Sequence, residues 1–189
     1  MKRLPSGVVR IVGGSLRGSR LSVPALPDLR PTPVRLRETL FNWLMPLIEG
    51  ARVLDPFAGS GALGIEAISR GAAHALMIER ERGQAARIAA DLLRLRVDVG
   101  EVRCEDALQV LMSRPAQPFD VVFLDPPFEA DFWTRVAKLL EEHHWLEPGA
   151  RIYVEMPLQA SFEPPARWKL RRQSRAGAVA GALYVSSNM

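Results

Sequence analysis

The chain has 189 residues, 48% of them hydrophobic and 24% charged, which suits a single globular domain with a small appendage and a sizeable core. A lone cysteine, Cys104, excludes an internal disulfide, and no stretch approaches the ~18 to 20 apolar residues of a membrane-spanning helix. The net charge of +4 is unevenly spread: residues 1–37 hold eight Lys/Arg and one acid, residues 163–175 five and one, and the remainder has an acidic excess. Charge segregated in this way fits a polyanionic partner met by the flanks, or a solvated basic tail.

The basic N-terminus lacks the apolar core of a signal peptide, so a reducing, cytoplasmic location is expected. Residues 1–33 carry two short β-type runs, Val8 to Val12 and Arg20 to Val23, with Gly13-Gly14 between them. They predict a small basic hairpin or arm rather than a full domain. Pro24, Pro27, Pro31 and Pro33 make an extended connector to the main domain, residues 34–189. Leu36, Leu40, Leu44 and Leu47 form a stripe that predicts a helix between Thr32 and Ile48, with Thr32 as its N-cap.

An α/β alternation follows. Strands are expected at Arg52–Asp55, His74–Glu79, Val99–Cys104, Phe119–Asp125 and Arg151–Glu155. Helices are expected at 62–70, 84–95, 107–112 and 132–143, the last closing before Pro148-Gly149. The strands read as nearly continuous apolar runs, as in a parallel sheet covered on both faces. Trp168–Arg172 and Val179–Val185 add two strands joined by a Gly/Ala-rich turn, making seven.

The stretch from Val53 to Gly64 organises the chain. An apolar strand ends in Asp55, and a loop with Gly59 and Gly61 leads into a helix. Gly59, Gly61 and Gly64 spell GxGxxG, and Glu79 lies 20 residues past Gly59, which matches the dinucleotide fingerprint. Two features oppose that reading. In the fingerprint the glycines follow the strand at once and present bare N–H groups to a pyrophosphate, whereas Asp55 would repel one. The chain is also short for a second, hydride-accepting domain. A carboxylate here suits a cationic ligand such as the amino group of S-adenosylmethionine.

Leu124-Asp125-Pro126-Pro127-Phe128 is the most specific stretch. The prolines hold the backbone after the strand extended and stiff. Asp125 and the Pro126 carbonyl can accept both hydrogens of a planar –NH2 group, and Phe128 offers a face on which a base can stack. In a doubly wound sheet this strand end lies beside the Asp55 loop, at the topological switch point.

Together the two stretches resemble the class I S-adenosylmethionine-dependent methyltransferases that modify exocyclic amines of nucleic-acid bases. With Gly13-Gly14-Ser15-Leu16-Arg17-Gly18, Arg30-Pro31-Thr32 and the run from Arg35 to Trp43, the chain is similar to the bacterial 16S ribosomal RNA guanine-N2 methyltransferase family of RsmD type, from about Arg10 to Tyr184. The resemblance implies a Rossmann-like class I fold: a mostly parallel seven-stranded sheet with helices on both faces and a small N-terminal extension. It implies S-adenosylmethionine as cofactor, S-adenosylhomocysteine as product, no metal, and 16S ribosomal RNA, free or in an assembled small subunit, as partner of a monomer. Asp55, Gly59 and Gly61 would border the methionine part of the cofactor, Glu79 the ribose hydroxyls and Asp106 the adenine amino group. Asp125 would be catalytic, with Pro126 and Phe128 beside it. Arg10, Arg17, Arg20, Arg30, Arg35 and Arg37 are the candidate RNA contacts. Ala176 to Ala182 is richer in small residues than the resemblance implies.

The remaining candidates are structural. Adjacent His143 and His144 point apart and make no metal pair. Cys104 is expected to be a buried, inert thiol, and the four tryptophans packing residues, although Trp168 within the basic tail could stack on RNA. Two other readings stay open: the same chemistry on an adenine N6, and a non-catalytic RNA-binding module on the same fold.

Overall fold

The apolar runs pair into one seven-stranded sheet in a computed structural model of the chain, which describes residues 7–23, 34–126 and 132–187. The proline connector, Thr32, Arg30, Pro127 and Phe128 lie outside the described residues. In chain order the elements are β1 (Gly7–Arg10), β2 (Arg20–Val23), α1 (Val34–Leu44), β3 (Arg52–Asp55), α2 (Ala62–Ser69), β4 (His74–Ile78), α3 (Arg82–Arg94), β5 (Gly100–Arg103), α4 (Ala107–Leu111), β6 (Phe119–Leu124), α5 (Phe132–Glu142), β7 (Leu146–Pro157), β8 (Trp168–Ala176) and β9 (Val179–Ser186). The sheet order is β5-β4-β3-β6-β7-β9-β8, parallel except for β9, which runs antiparallel to both β7 and β8. This is the Rossmann-like class I methyltransferase fold.

Alternation along each strand divides the core into two layers. Val53, Met77, Phe123 and Tyr153 face α1, α2 and α3, while Leu54, Ile78, Leu124 and Val154 face α4 and α5. Several boundaries differ from the sequence reading, two of them for clear local reasons. The first helix ends at Leu44 rather than Ile48 because Pro46 cannot continue it. The strand expected at Arg151–Glu155 begins already at Leu146, and the register shift against β6 between Phe119 and Val121 absorbs Pro148-Gly149.

The basic hairpin is present, but it does not stand off as an arm. Val9, Ile11, Leu21 and Val23 are buried in the same core layer as α1 and α2. A polar clamp fixes the loop between β1 and β2 to α2. Glu66, fully buried, accepts from Val12 N and Gly13 N at 2.8 Å each and from Arg70 Nε at 2.9 Å. The Ser69 hydroxyl donates to Gly13 O and accepts from Leu16 N, and its carbonyl accepts from Ser15 N. Gly14 makes the approach possible: its φ is +76°, and a Cβ there would overlap the Ser69 carbonyl.

Arg37 completes this junction, which corrects its assignment as an RNA contact. It is 1% exposed and donates to Arg10 O at 2.5 Å from beneath the hairpin. Burial lowers its pKa, an effect that Glu66 opposes. A guanidinium enclosed in this way braces the hairpin and does not reach a ligand outside.

Candidate active site at the carboxyl edge of the sheet

β3 and β6 are neighbours, and the chain leaves them in opposite directions along the sheet. The crevice above their carboxyl ends is the switch point at which open α/β sheets take ligands. Asp55 is the last residue of β3, and Asp125 follows the last residue of β6. The two acids singled out in the sequence therefore stand over adjacent strands.

Asp55 is 2% exposed, and its Oδ2 accepts from Gly64 N at 3.2 Å. Burial raises its pKa from the ordinary 3.8 to about 7; the charge of Glu79 adds to the rise, and the N–H groups of Gly64 and Phe57 oppose it. Among the described residues no cation pairs with it. A buried acid short of a counter-charge is suited to an ammonium group arriving from outside.

The loop above Asp55 is built from backbone bonds. Ala58 N donates to Ile78 O at 2.9 Å, and Gly61 N to Ala58 O at 2.7 Å. Gly61 precedes α2 with φ 74°, and a Cβ there would also press on Ile88. Gly59 N donates to Glu79 Oε2 at 2.9 Å, while Glu79 Oε1 accepts from Glu81 N at 2.7 Å. Glu79, one residue past β4, thus braces the loop tip from the neighbouring strand. Burial raises its pKa, and its oxygens keep lone pairs for further donors. Asp106 is exposed and caps α4, accepting from Gln109 N at 3.2 Å. That cap accounts for an acid at this position whether or not a ligand also uses it.

Asp125 is half-buried and Pro126 buried. A pair that the sequence reading missed stands beside them. The pairing of Leu124 with Val154 brings Glu155 next to Asp125 across the strands. Glu155 is 3% exposed and accepts from the Tyr153 hydroxyl at 2.8 Å. Burial holds the Tyr153 phenol well above its ordinary pKa, with contributions from Glu155 and then Asp125. The available signal was an acid closing an apolar strand, as at Asp55 and Asp125. Tyr153 also accounts for one small residue of the tail, because a side chain on Gly181 of β9 would collide with its phenol.

Of the candidate RNA contacts, Arg10, Arg17, Arg20 and Arg35 are exposed. Two further expectations are corrected. Cys104 is exposed at the end of β5 rather than buried. Trp168 is 3% exposed and donates to Glu141 Oε1 at 2.7 Å, so it packs and does not stack on a base. Among the described residues no three His, Cys, Asp or Glu cluster as a metal site requires.

Comparison with known proteins gives a consistent result. The model of a family described as conserved hypothetical protein 95 matches residues 9–185. The chain is 45% identical over 180 residues to the ribosomal RNA small subunit methyltransferase D of Escherichia coli K12, across 95% of this chain and 90% of that protein. It is 42% identical over 181 residues to the protein of the same name from Haemophilus influenzae, across 94% of each. The solved structure of Escherichia coli yhhF matches with a TM-score of 0.89 at 42% identity, covering 96% of this chain and 99% of that one.

Proposed function

The chain belongs to the ribosomal RNA small subunit methyltransferase D family and is a methyltransferase, and on that premise we propose that it methylates the exocyclic N2 amine of a guanine in 16S ribosomal RNA. The observation that carries the reading is the juxtaposition of Asp55 and Asp125 above neighbouring strands, one suited to a cation and the other to an amine. When bound, S-adenosylmethionine supplies an electrophilic methyl group on its sulfonium.

The chain's residues fit that cofactor. Among the described residues Asp55 lacks the positive partner that an amino group would provide, and Gly61 takes the left-handed turn that leads from the loop into α2. Glu79 has acceptor capacity for ribose hydroxyls beyond the two N–H groups it already binds, and exposed Asp106 can accept from the adenine amine.

Asp125 and the Pro126 carbonyl hold the two hydrogens of the target amine, with Phe128 against the base. Held in this way, the nitrogen directs its lone pair at the methyl group. The carboxylate stabilises the positive charge that develops on nitrogen as its bond to the methyl carbon forms and the methyl–sulfur bond breaks, and the surplus proton then leaves the methylated amine to water. The reaction needs orientation and electrostatics from the protein, and no covalent intermediate.

Single-turnover methyl transfer to unmethylated small-subunit RNA at saturating cofactor tests the assignment. Asp125→Asn and Asp125→Ala should each lose on the order of 100-fold or more in rate, ~3 kcal/mol, with Ala at least as severe. Cofactor affinity, measured separately, should change little. Mapping the product distinguishes guanine N2 from adenine N6. An Asp125→Ala protein working at close to the wild-type rate would overturn the catalytic role.

A further inference from the structure

The edge strand β8 holds a feature that the reaction does not use. Between Leu170 and Arg172 its register against β9 shifts, and Arg171 is the extra residue. In a regular strand consecutive side chains point to opposite faces; a bulge breaks that alternation and re-aims one of them. Here the bulge brings Arg171 and Arg172 onto the wall of the same groove, an open depression of about 390 Å³. Arg151 of β7 joins them, donating to the Gly149 carbonyl, and Trp43, Leu47 and Leu183 form the apolar side. Arg171 and Arg172 are exposed, and among the described residues neither has an acidic partner.

Positive charge is also a common guard for an exposed sheet edge. A guard needs charge along the edge; it does not need two consecutive arginines on one face beside an indole. Paired guanidinium forks match phosphate oxygens, and an aromatic wall accepts the face of an unpaired base. We propose that this groove is a second RNA-binding site, taking a backbone phosphate on Arg171 and Arg172 and an unstacked base against Trp43. It rests on the reading of RNA as substrate. Arg151 lies four residues before Glu155 on β7, which places the groove ~13 Å along the strand from the carboxyl edge. The groove therefore positions a folded RNA from a distance and touches no reacting atom.

The test compares wild type, Arg171→Gln/Arg172→Gln and Arg171→Lys/Arg172→Lys. Binding to deproteinised small-subunit RNA is measured without cofactor across a salt series, and methyl transfer to the same RNA is followed separately. The Gln protein should flatten the plot of log K against log salt by about 0.7 to 0.9 for each phosphate that it no longer neutralises. Its KM for RNA should rise at least about threefold with kcat unchanged. The Lys protein should recover most of the salt slope, because the charge returns. Thermal unfolding and cofactor affinity should match wild type in both. An unchanged slope and KM in the Gln protein would overturn the proposal, as would self-association of that protein with RNA binding intact, which would make the arginines edge guards. A defect seen only on assembled subunits and absent on bare RNA would also overturn it, since the arginines would then be meeting ribosomal protein. Failure of the wild type to methylate the RNA both free and in assembled subunits would sink the catalytic reading alone, because the binding arm is read without cofactor.

Discussion

Asp55, bonded to the first turn of α2, and Glu66, within that helix, are both buried acids, yet their surroundings give them opposite uses. Glu66 receives two backbone N–H groups and the Arg70 guanidinium, so its charge is answered inside the protein. Asp55 receives the Gly64 N–H and has no cation among the described residues, and burial drives it toward neutrality. An acid whose partners are all internal is part of the scaffold; an acid kept short of positive charge is suited to a cation from outside. The same distinction separates Arg37, enclosed under the hairpin, from Arg171 and Arg172 on the edge strand.

The strongest way to break the comparison is Glu66→Ala. Removing this carboxylate strands two N–H groups and leaves Arg70 and Arg37 without their shared anion, so unfolding in urea should show a loss of about 3 to 5 kcal/mol. A loss below about 1 kcal/mol would mean that the clamp is not structural. Asp55 should behave differently, because its folded pKa lies above its unfolded value. Below about pH 4 the acid is protonated in both states and has no effect on stability. As pH rises to about 7 the folded protein should lose stability through Asp55, roughly 4 kcal/mol at most, and the loss persists above that. Asp55→Asn should remove this slope while weakening S-adenosylmethionine binding by about 30-fold or more, ~2 kcal/mol. In the wild type, cofactor affinity should rise between about pH 5 and 7, with proton release detectable by calorimetry in buffers of different ionisation heat. A flat profile would separate Asp55 from the cofactor's amino group. The smallest effects should come from two arginines. Arg37→Met should cost about 1 to 2 kcal/mol of stability and leave the RNA salt slope alone, whereas Arg17→Gln should leave stability alone and flatten the slope by about 0.7.

What could be read in the sequence follows from how local each signal is. Seven strands follow from short apolar or β-type runs, the adjacency of β3 and β6 from the doubly wound pattern, and the placement of Asp55, Glu79 and Asp125 at strand ends from runs closed by an acid. The clamp was not legible, because Glu66 acquires its role from Val12 and Gly13, more than fifty positions away. The one hint was an acid inside an otherwise apolar helix, Ala62 to Ile68. Arg37 was misread for a related reason. Counting charge in a basic flank does not show which guanidinium the fold encloses. The Arg171–Arg172 groove depends on a register shift, and no residue in Leu170-Arg171-Arg172 announces one.

The clamp also sets a timetable. Val12 waits for Glu66 across 54 positions, and β1 and β2 are synthesised well before α2 exists. Contacts so distant along the chain form late, after the intervening segment has been made and has folded. Until then Val9, Ile11, Leu21 and Val23 have no core to enter. A nascent chain thus carries an apolar, strand-forming segment through the ribosome exit with nothing to cover it. That interval is when a chaperone or a protease would most readily engage the N-terminal hairpin, although the finished molecule leaves little of its apolar face to find.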